Sequence, residues 1–229
     1  MAASLDIRAT EACVFDAYGT LFDVAAAARR CRSELGDKAD PLAQLWRRRQ
    51  LEYAWLRSLM GRHADFWQIT GDALDFALEA LGIGAPDLRA RLMELYRDID
   101  AYPDARATLE TLRRAGRRSA ILSNGAPEML AAAVRSAGIG ALVDPVLSIE
   151  EVGIYKPHRS VYELAWTRLG LPPERICFVS SNGWDVAAAA VHGLTAVWVN
   201  RDGAPRERLP AGPAAELRSL AELPALLGL

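Results

Sequence analysis

Five short apolar runs are spaced along this chain, with helix-length segments between most of them: Ala12 to Phe15, Arg118 to Leu122, Pro145 to Ser148, Ile176 to Val179 and Thr195 to Val199. Runs this short and rich in β-formers read as buried strands. Strands that alternate with helices require right-handed crossovers, and therefore a parallel sheet covered on both faces. The predicted fold class is α/β with a Rossmann-like parallel-sheet core. Its crossover helices span Arg106 to Ala115, Pro127 to Ala137, Arg159 to Leu169 and Asp185 to Val191. The first three are closed by Gly116, Gly138 and Gly170.

After the first run the alternation stops. From Asp23 to about Asp100 the pattern is almost continuous helix: Val24 to Leu35, Pro41 to Met60, Asp65 to Leu81 and Pro86 to Asp98. Turns fall at Gly36, at Gly61 and from Gly82 to Gly84. This predicts an inserted all-helical cap over residues 23–100, with residues 1–22 and 101–229 forming the core. In the second cap helix the apolar face runs Leu42, Trp46, Tyr53, Leu56 and Met60, whereas Arg47 and Leu51 share another face. Near the end, Pro205 to Pro213 reads as a loop or extended return, and Leu217 to Leu227 as a weak helix interrupted by Pro224.

The 229 residues suffice for a sizeable core, and 51% hydrophobic with 24% charged residues describes a globular protein. A net charge of −2 gives no electrostatic reason to expect nucleic acid or an anionic membrane as partner. No apolar run approaches the length of a bilayer span, and Asp6 and Glu11 fall where an export signal needs apolar residues. Cys13, Cys31 and Cys177 lack metal spacing and read as reduced core thiols of a cytoplasmic protein. His63, His158 and His192 form no metal set and are read as surface or structural.

Chemistry-capable groups stand at the ends of the strands. Asp16 with Thr20 follows the first, Ser123 with Asn124 the second, and Ser180 with Asn182 and Asp185 the fourth; Lys156 and Pro157 lie after the third. In open α/β sheets the C-terminal lip is where ligands bind, and polar groups at four loops of that lip predict an active site.

These residues carry a resemblance. DxxGT after the first strand, Ser-Asn after the second, a Lys-Pro and a last loop with a closing Asp resemble the haloacid dehalogenase superfamily. Most of its members are Mg²⁺-dependent phosphatases, with a second Asp two residues after the nucleophile and a last loop reading GDxxxD. Here those places hold Tyr18 and Ser181. A phosphoryl group needs charge neutralisation, and its alkoxide leaving group needs a proton. A halide leaves from a 2-haloacid without one. DAYGTLFD, WRRRQLEYAWLRSLMGRHADFW, ILSNGAPEML, Lys-Pro followed by Tyr162, and FVSSNGWD together resemble the L-2-haloacid dehalogenases from Ala12 to about Val199.

The resemblance implies hydrolysis of short (S)-2-haloalkanoates to (R)-2-hydroxyalkanoates without cofactor or metal. Asp16 is the expected nucleophile, forming an ester with inversion at C2. Thr20 is expected to orient it, Lys156 to hold it charged and placed, and Tyr162 to supply a hydroxyl near Lys156. Ser123 and Asn124 are expected to meet the substrate carboxylate, with an N-cap as the alternative for Ser123. Arg47 matches the halide-abstracting arginine, and Arg48 stands where relatives often carry Gln. Ser180, Asn182 and Asp185 close the site, Asp185 positioning water and Asn182 steadying it or the oxyanion. Ala17, Tyr18, Leu51, Phe66 and Trp184 are expected around C2, with core packing the alternative for Phe66 and Trp184. Trp46, Trp55 and Trp67 are candidates for a homodimer interface. The alternatives are a Mg²⁺-dependent phosphatase on the same fold, and a non-catalytic binding protein in which Asp16, Lys156 or Asp185 would be lost.

Overall fold

The computed structural model describes residues 6–84 and 86–229; residues 1–5 of the expected core segment lie outside them. The strands are β1 (Ala12–Phe15), β2 (Arg118–Ser123), β3 (Val146–Ser148), β4 (Ile176–Ser180), β5 (Thr195–Val199) and β6 (Ala215–Leu217). All pair in parallel, in the order β3-β2-β1-β4-β5-β6. The chain builds outward from β1 to one side, then crosses over to the other. The end of β1, between β2 and β4, is thus the switch point at which a doubly wound sheet opens a crevice.

Cap helices α1 (Ala26–Arg30), α2 (Arg32–Leu35), α3 (Ala39–Met60), α4 (Phe66–Ala80) and α5 (Pro86–Arg97) follow β1. Core helices α6 (Ala105–Arg114), α7 (Pro127–Ser136), α8 (Arg159–Leu169), α9 (Gly183–Val191) and α10 (Leu223–Leu226) flank the sheet. The two crossings between core and cap are tied together. Asp23 N–H donates to the Asp100 carbonyl at 2.8 Å, and Tyr102 N–H to the Leu21 carbonyl at 2.8 Å.

Several sequence expectations are corrected. The sheet has six strands, because Ala215–Leu217 adds to the edge by pairing Val197 with Ala215 and Val199 with Leu217. The expected helix from Leu217 therefore starts later: Ser219 and Glu222 form a capping box over a short 3₁₀ turn. Pro224 lies in the first turn of α10, where its missing N–H costs nothing. The helix expected from Val24 to Leu35 is split at Cys31.

A further correction concerns α3. Its buried row is Ala39, Leu42, Trp46, Gln50 and Ala54, while Leu56 and Met60 are exposed. Gln50 occupies a core position because Thr70 and Tyr96 supply partners for its amide. Trp46, expected at a subunit interface, is buried inside the cap, its indole N–H donating to the Thr70 carbonyl at 2.9 Å. Trp55 and Trp67 are half-buried. Cys13, Cys31 and Cys177 are free and buried. No helix among the described residues is long and apolar enough to cross a membrane.

Candidate active site

Asp16 extends β1 by one residue, its N–H donating to the Val179 carbonyl at 2.9 Å. The chain then folds back on itself. The Ala17 carbonyl accepts the N–H groups of Thr20, Leu21 and Phe22, and Gly19 takes the left-handed conformation (φ 97°) that the turn requires. This places Thr20 beside Asp16. The Thr20 hydroxyl donates to Asp16 Oδ2 at 3.0 Å and accepts Ser181 N–H at 2.8 Å, so its orientation is set from both sides.

Asn182, in the N-cap position of α9, donates its amide to the same Oδ2 at 2.9 Å, and Ser180 holds the Asn182 backbone N–H at 3.1 Å. Lys156 reaches in from the loop before α8. Its ammonium donates to Asp16 Oδ1 at 3.1 Å and to Asp185 Oδ2 at 2.8 Å. Asn124 anchors that loop by accepting Lys156 N–H at 3.1 Å. Tyr162 stands one carboxylate away from Lys156, donating to Asp185 Oδ1 at 2.6 Å. Ser123 caps no helix, since α7 opens four residues later at Pro127; its hydroxyl accepts Gly125 N–H at 3.0 Å and holds the turn.

Two carboxylates therefore share one ammonium, all three being nearly sealed from water: Asp16 is 6% exposed, Lys156 1% and Asp185 0%. Burial alone would strip the proton from Lys156, but Asp16 and Asp185 outweigh it and hold the ammonium above its usual range. Burial raises the Asp185 carboxyl; Lys156 pulls it down, Asp16 pushes it up again, and the balance stays above the ordinary carboxylate value.

From the cap, Arg47 donates to the Tyr18 carbonyl at 3.1 Å, to Asn182 Oδ1 at 3.4 Å and to Gln50 Oε1 at 2.8 Å. Asp16, Tyr18, Arg47, Leu51, Phe66, Ser123, Asn124, Asn182 and Trp184 enclose a cavity of about 10 Å³. That is room for about one water. Ala17 is not among the residues lining it. A far larger cavity, about 620 Å³, lies next to it. Asp16 and Arg47 line the small one, and Lys156 lines the large one.

Sequence reasoning missed Gln50, which braces Arg47, and Tyr96, whose ring stacks on Tyr18 at 5.6 Å. The i, i+3 spacing of Arg47 and Gln50 was the available signal. His63 pairs with Glu150, His158 caps α8 and His192 packs against Tyr162. Arg48 points outward to Glu52.

The superfamily's phosphatases imply Mg²⁺, and the donor set here does not fit it. Among the described residues no three His, Cys, Asp or Glu side chains converge as metal ligands. Asp16 is instead surrounded by an ammonium, an amide N–H and a hydroxyl, and position 181 offers a serine whose buried hydroxyl has no partner.

A parallel sheet presenting a lysine-paired carboxylate from its central strand, beneath a helical cap carrying an arginine, defines a capped α/β hydrolase. The chain belongs to the haloacid dehalogenase-like hydrolases, whose family model matches residues 10–193, and within them to the (S)-2-haloacid dehalogenases. It is 49% identical over 217 residues to (S)-2-haloacid dehalogenase 1 of Pseudomonas sp. (strain CBS-3), covering 94% of this chain and 96% of that one. A crystal structure of a dehalogenase with an intermediate complex superposes with a TM-score of 0.94 at 46% identity, over 96% of this chain and 98% of that one. The L-2-haloacid dehalogenase from Xanthobacter autotrophicus with chloropropionic acid covalently bound gives 0.87 at 37% identity, again over 96% and 98%.

Proposed function

We propose that this protein hydrolyses short-chain (S)-2-haloalkanoates to (R)-2-hydroxyalkanoates and halide through an ester on Asp16. The observation that carries the reading is the trio of Asp16, Lys156 and Asp185, buried and ion-paired at the sheet's switch point, with Asp16 lining a small cavity that Arg47 also lines. The covalently bound chloropropionic acid in the Xanthobacter enzyme supports it.

In the first step an Asp16 carboxylate oxygen attacks C2 from the side opposite the halogen. The carbon–oxygen bond forms as the carbon–halogen bond breaks, C2 inverts, and the halide departs with the bonding pair toward the Arg47 guanidinium. No proton is needed. Ser123 and Asn124 receive the substrate carboxylate, while Tyr18, Leu51, Phe66 and Trp184 surround the C2 substituent.

In the second step water attacks the ester carbonyl of Asp16, and Asp185 takes the water's proton. Asn182 and Lys156 donate to the oxygens that carry the developing charge. Collapse expels the hydroxyacid alkoxide, which takes the proton held by Asp185, and the water's second proton leaves the Asp16 carboxyl for solvent, restoring the carboxylate. Because the cavity holds about one water, substrate enters by movement of the cap (residues 23–100) relative to the core.

Single turnover with excess enzyme in ¹⁸O-water tests the ester. The expected first product carries unlabelled oxygen, and Asp16 acquires label after several turnovers. Label in that first product would mean direct attack by water, and the mechanism would fall.

The protein acts on a small molecule. We read it as a homodimer of the cytoplasm, joined through Leu56, Met60 and Phe76, which are exposed, with Tyr53 edge-on to Phe76 at 6.4 Å. Light scattering after size exclusion should give twice the chain mass. Leu56→Glu with Met60→Glu should halve it.

A further inference from the structure

The 620 Å³ groove and the closed cavity share one wall, the indole of Trp184. Along α3, Leu51 lines the closed cavity, while Trp55 and Leu59 line the groove. Four-residue spacing puts all three in one row on the helix. Along α9, Trp184, Ala188 and Val191 form a second row with the same periodicity, and it lines the same groove. The rows meet at Trp55 and Trp184, whose rings cross edge to face at 5.3 Å and 86°. Trp55 Nε1 is buried without a partner, so packing alone holds that ring in place. Beyond this throat the groove opens to solvent, Leu59 being 84% exposed and Val191 54%.

We infer that the groove receives the alkyl tail of longer 2-haloalkanoates and that Trp184 is the partition that sets the accepted chain length, held in place by Trp55 packed edge-on against it. This rests on the dehalogenase reading above. The carboxylate and the carbon–halogen bond must stay beside Asp16, so only C3 and the carbons after it can extend. Trp184 is the lining residue that the cavity and the groove share, so a tail that displaces it enters the groove. Each methylene taken out of water is worth about fourfold in binding. Two or three of them beyond the throat should therefore change selectivity by about tenfold or more.

The test is Trp55→Ala, with kcat/KM measured for (S)-2-bromopropionate and (S)-2-bromooctanoate. The octanoate-to-propionate ratio should rise about tenfold, mainly through KM, with bromopropionate turnover close to the parent's. Adding Leu59→Trp, which refills the groove from an exposed position, should remove the gain. Trp55→Leu should move the ratio in the same direction if the alanine variant does not fold. An unchanged ratio with normal bromopropionate turnover would overturn the inference, as would a gain that survives Leu59→Trp. An unchanged ratio accompanied by a changed molar mass would also overturn it, assigning the groove to a second copy of the chain. Failure of the parent enzyme on bromopropionate would instead remove the dehalogenase reading, and this inference with it.

Discussion

Gln50 accepts a hydrogen bond from the Arg47 guanidinium across 2.8 Å, wholly inside the cap. The same amide donates to the Thr70 hydroxyl at 2.7 Å and to Tyr96 at 3.1 Å, and Thr70 in turn donates to the carbonyl of Phe66, which lines the cavity. Arg47 is therefore aimed by a network rooted in α4 and α5. Gln50→Leu preserves volume but strands three polar partners, each loss worth about 1–3 kcal/mol. Dehalogenation should slow by about 10- to 100-fold in kcat with a smaller change in KM. Gln50→Glu, which keeps the acceptor, should recover part of it. Steady-state kinetics beside a thermal melt separates misaimed Arg47 from a loosened cap, since a purely structural role would lower the melting temperature and leave kcat per folded enzyme intact.

Tyr162 tunes Asp185 in a direction that can be read from pH. Burial raises the Asp185 carboxyl, and the Tyr162 hydroxyl, donating at 2.6 Å, is among the groups that lower it. Tyr162→Phe removes that donor and leaves Asp185 holding its proton more tightly. If Asp185 is the base for ester hydrolysis, the acid limb of the kcat profile moves to higher pH while the plateau persists. A limb that stays in place, or moves down, would take the base role away from Asp185.

Much of this was legible in the sequence where an apolar run ends sharply. Thr195–Val199 and Arg159–Leu169 match the residues expected, because Asn200 and Gly170 stop the two patterns at their C-terminal ends. Asp16 could be singled out because it stands just past such a stop, and Lys156 and Asp185 because they lie in the segments that follow the third and fourth runs. Their pairing could not, since Lys156 reaches Asp16 across 140 positions and the sheet order decides which loops meet. β6 was illegible for a different reason: Ala-Glu-Leu on a sheet edge alternates over only three residues, too few to establish a period. Gln50 was illegible because a buried polar residue is explained only by its partners, 20 and 46 positions away.

Gly125 is required by the ring of Tyr18. A Cβ there would sit 2.7 Å from Tyr18 Cε2 and 3.1 Å from a Leu130 methyl, inside van der Waals contact. Gly125 has no positive φ, so the penalty is one of space and not of backbone. Tyr18 is itself wedged between Tyr96 and Phe66 and has little room to yield. Gly125→Ala should cost about 1–3 kcal/mol and weaken substrate binding. In Tyr18→Ala the ring is gone and the same substitution should cost much less. Chemical denaturation of the four variants measures this coupling, and additive effects would refute the clash.

Asp104 joins the cap exit to the far edge of the core. Its carboxylate takes two bonds from Arg201 at 2.7 and 3.0 Å, one from the Ser219 hydroxyl at 2.7 Å and one from Leu220 N–H at 2.9 Å. Arg201 also donates to the Thr20 carbonyl at 3.2 Å, and so supports the nucleophile's turn. Burial pushes the Asp104 carboxyl up, but Arg201, Ser219 and the Leu220 amide outweigh it and hold it below the ordinary 3.8. A carboxyl lowered in the folded state stabilises at pH values above its unfolded value and loses that contribution as pH falls through the folded one. Asp104→Asn should therefore destabilise by about 2 kcal/mol at neutral pH, and the gap from the parent should close only below the ordinary carboxylate value. Urea unfolding at neutral pH and at several acidic pH values measures this. A gap that stays constant down to the lowest pH would mean that geometry, not charge, is what Asp104 contributes.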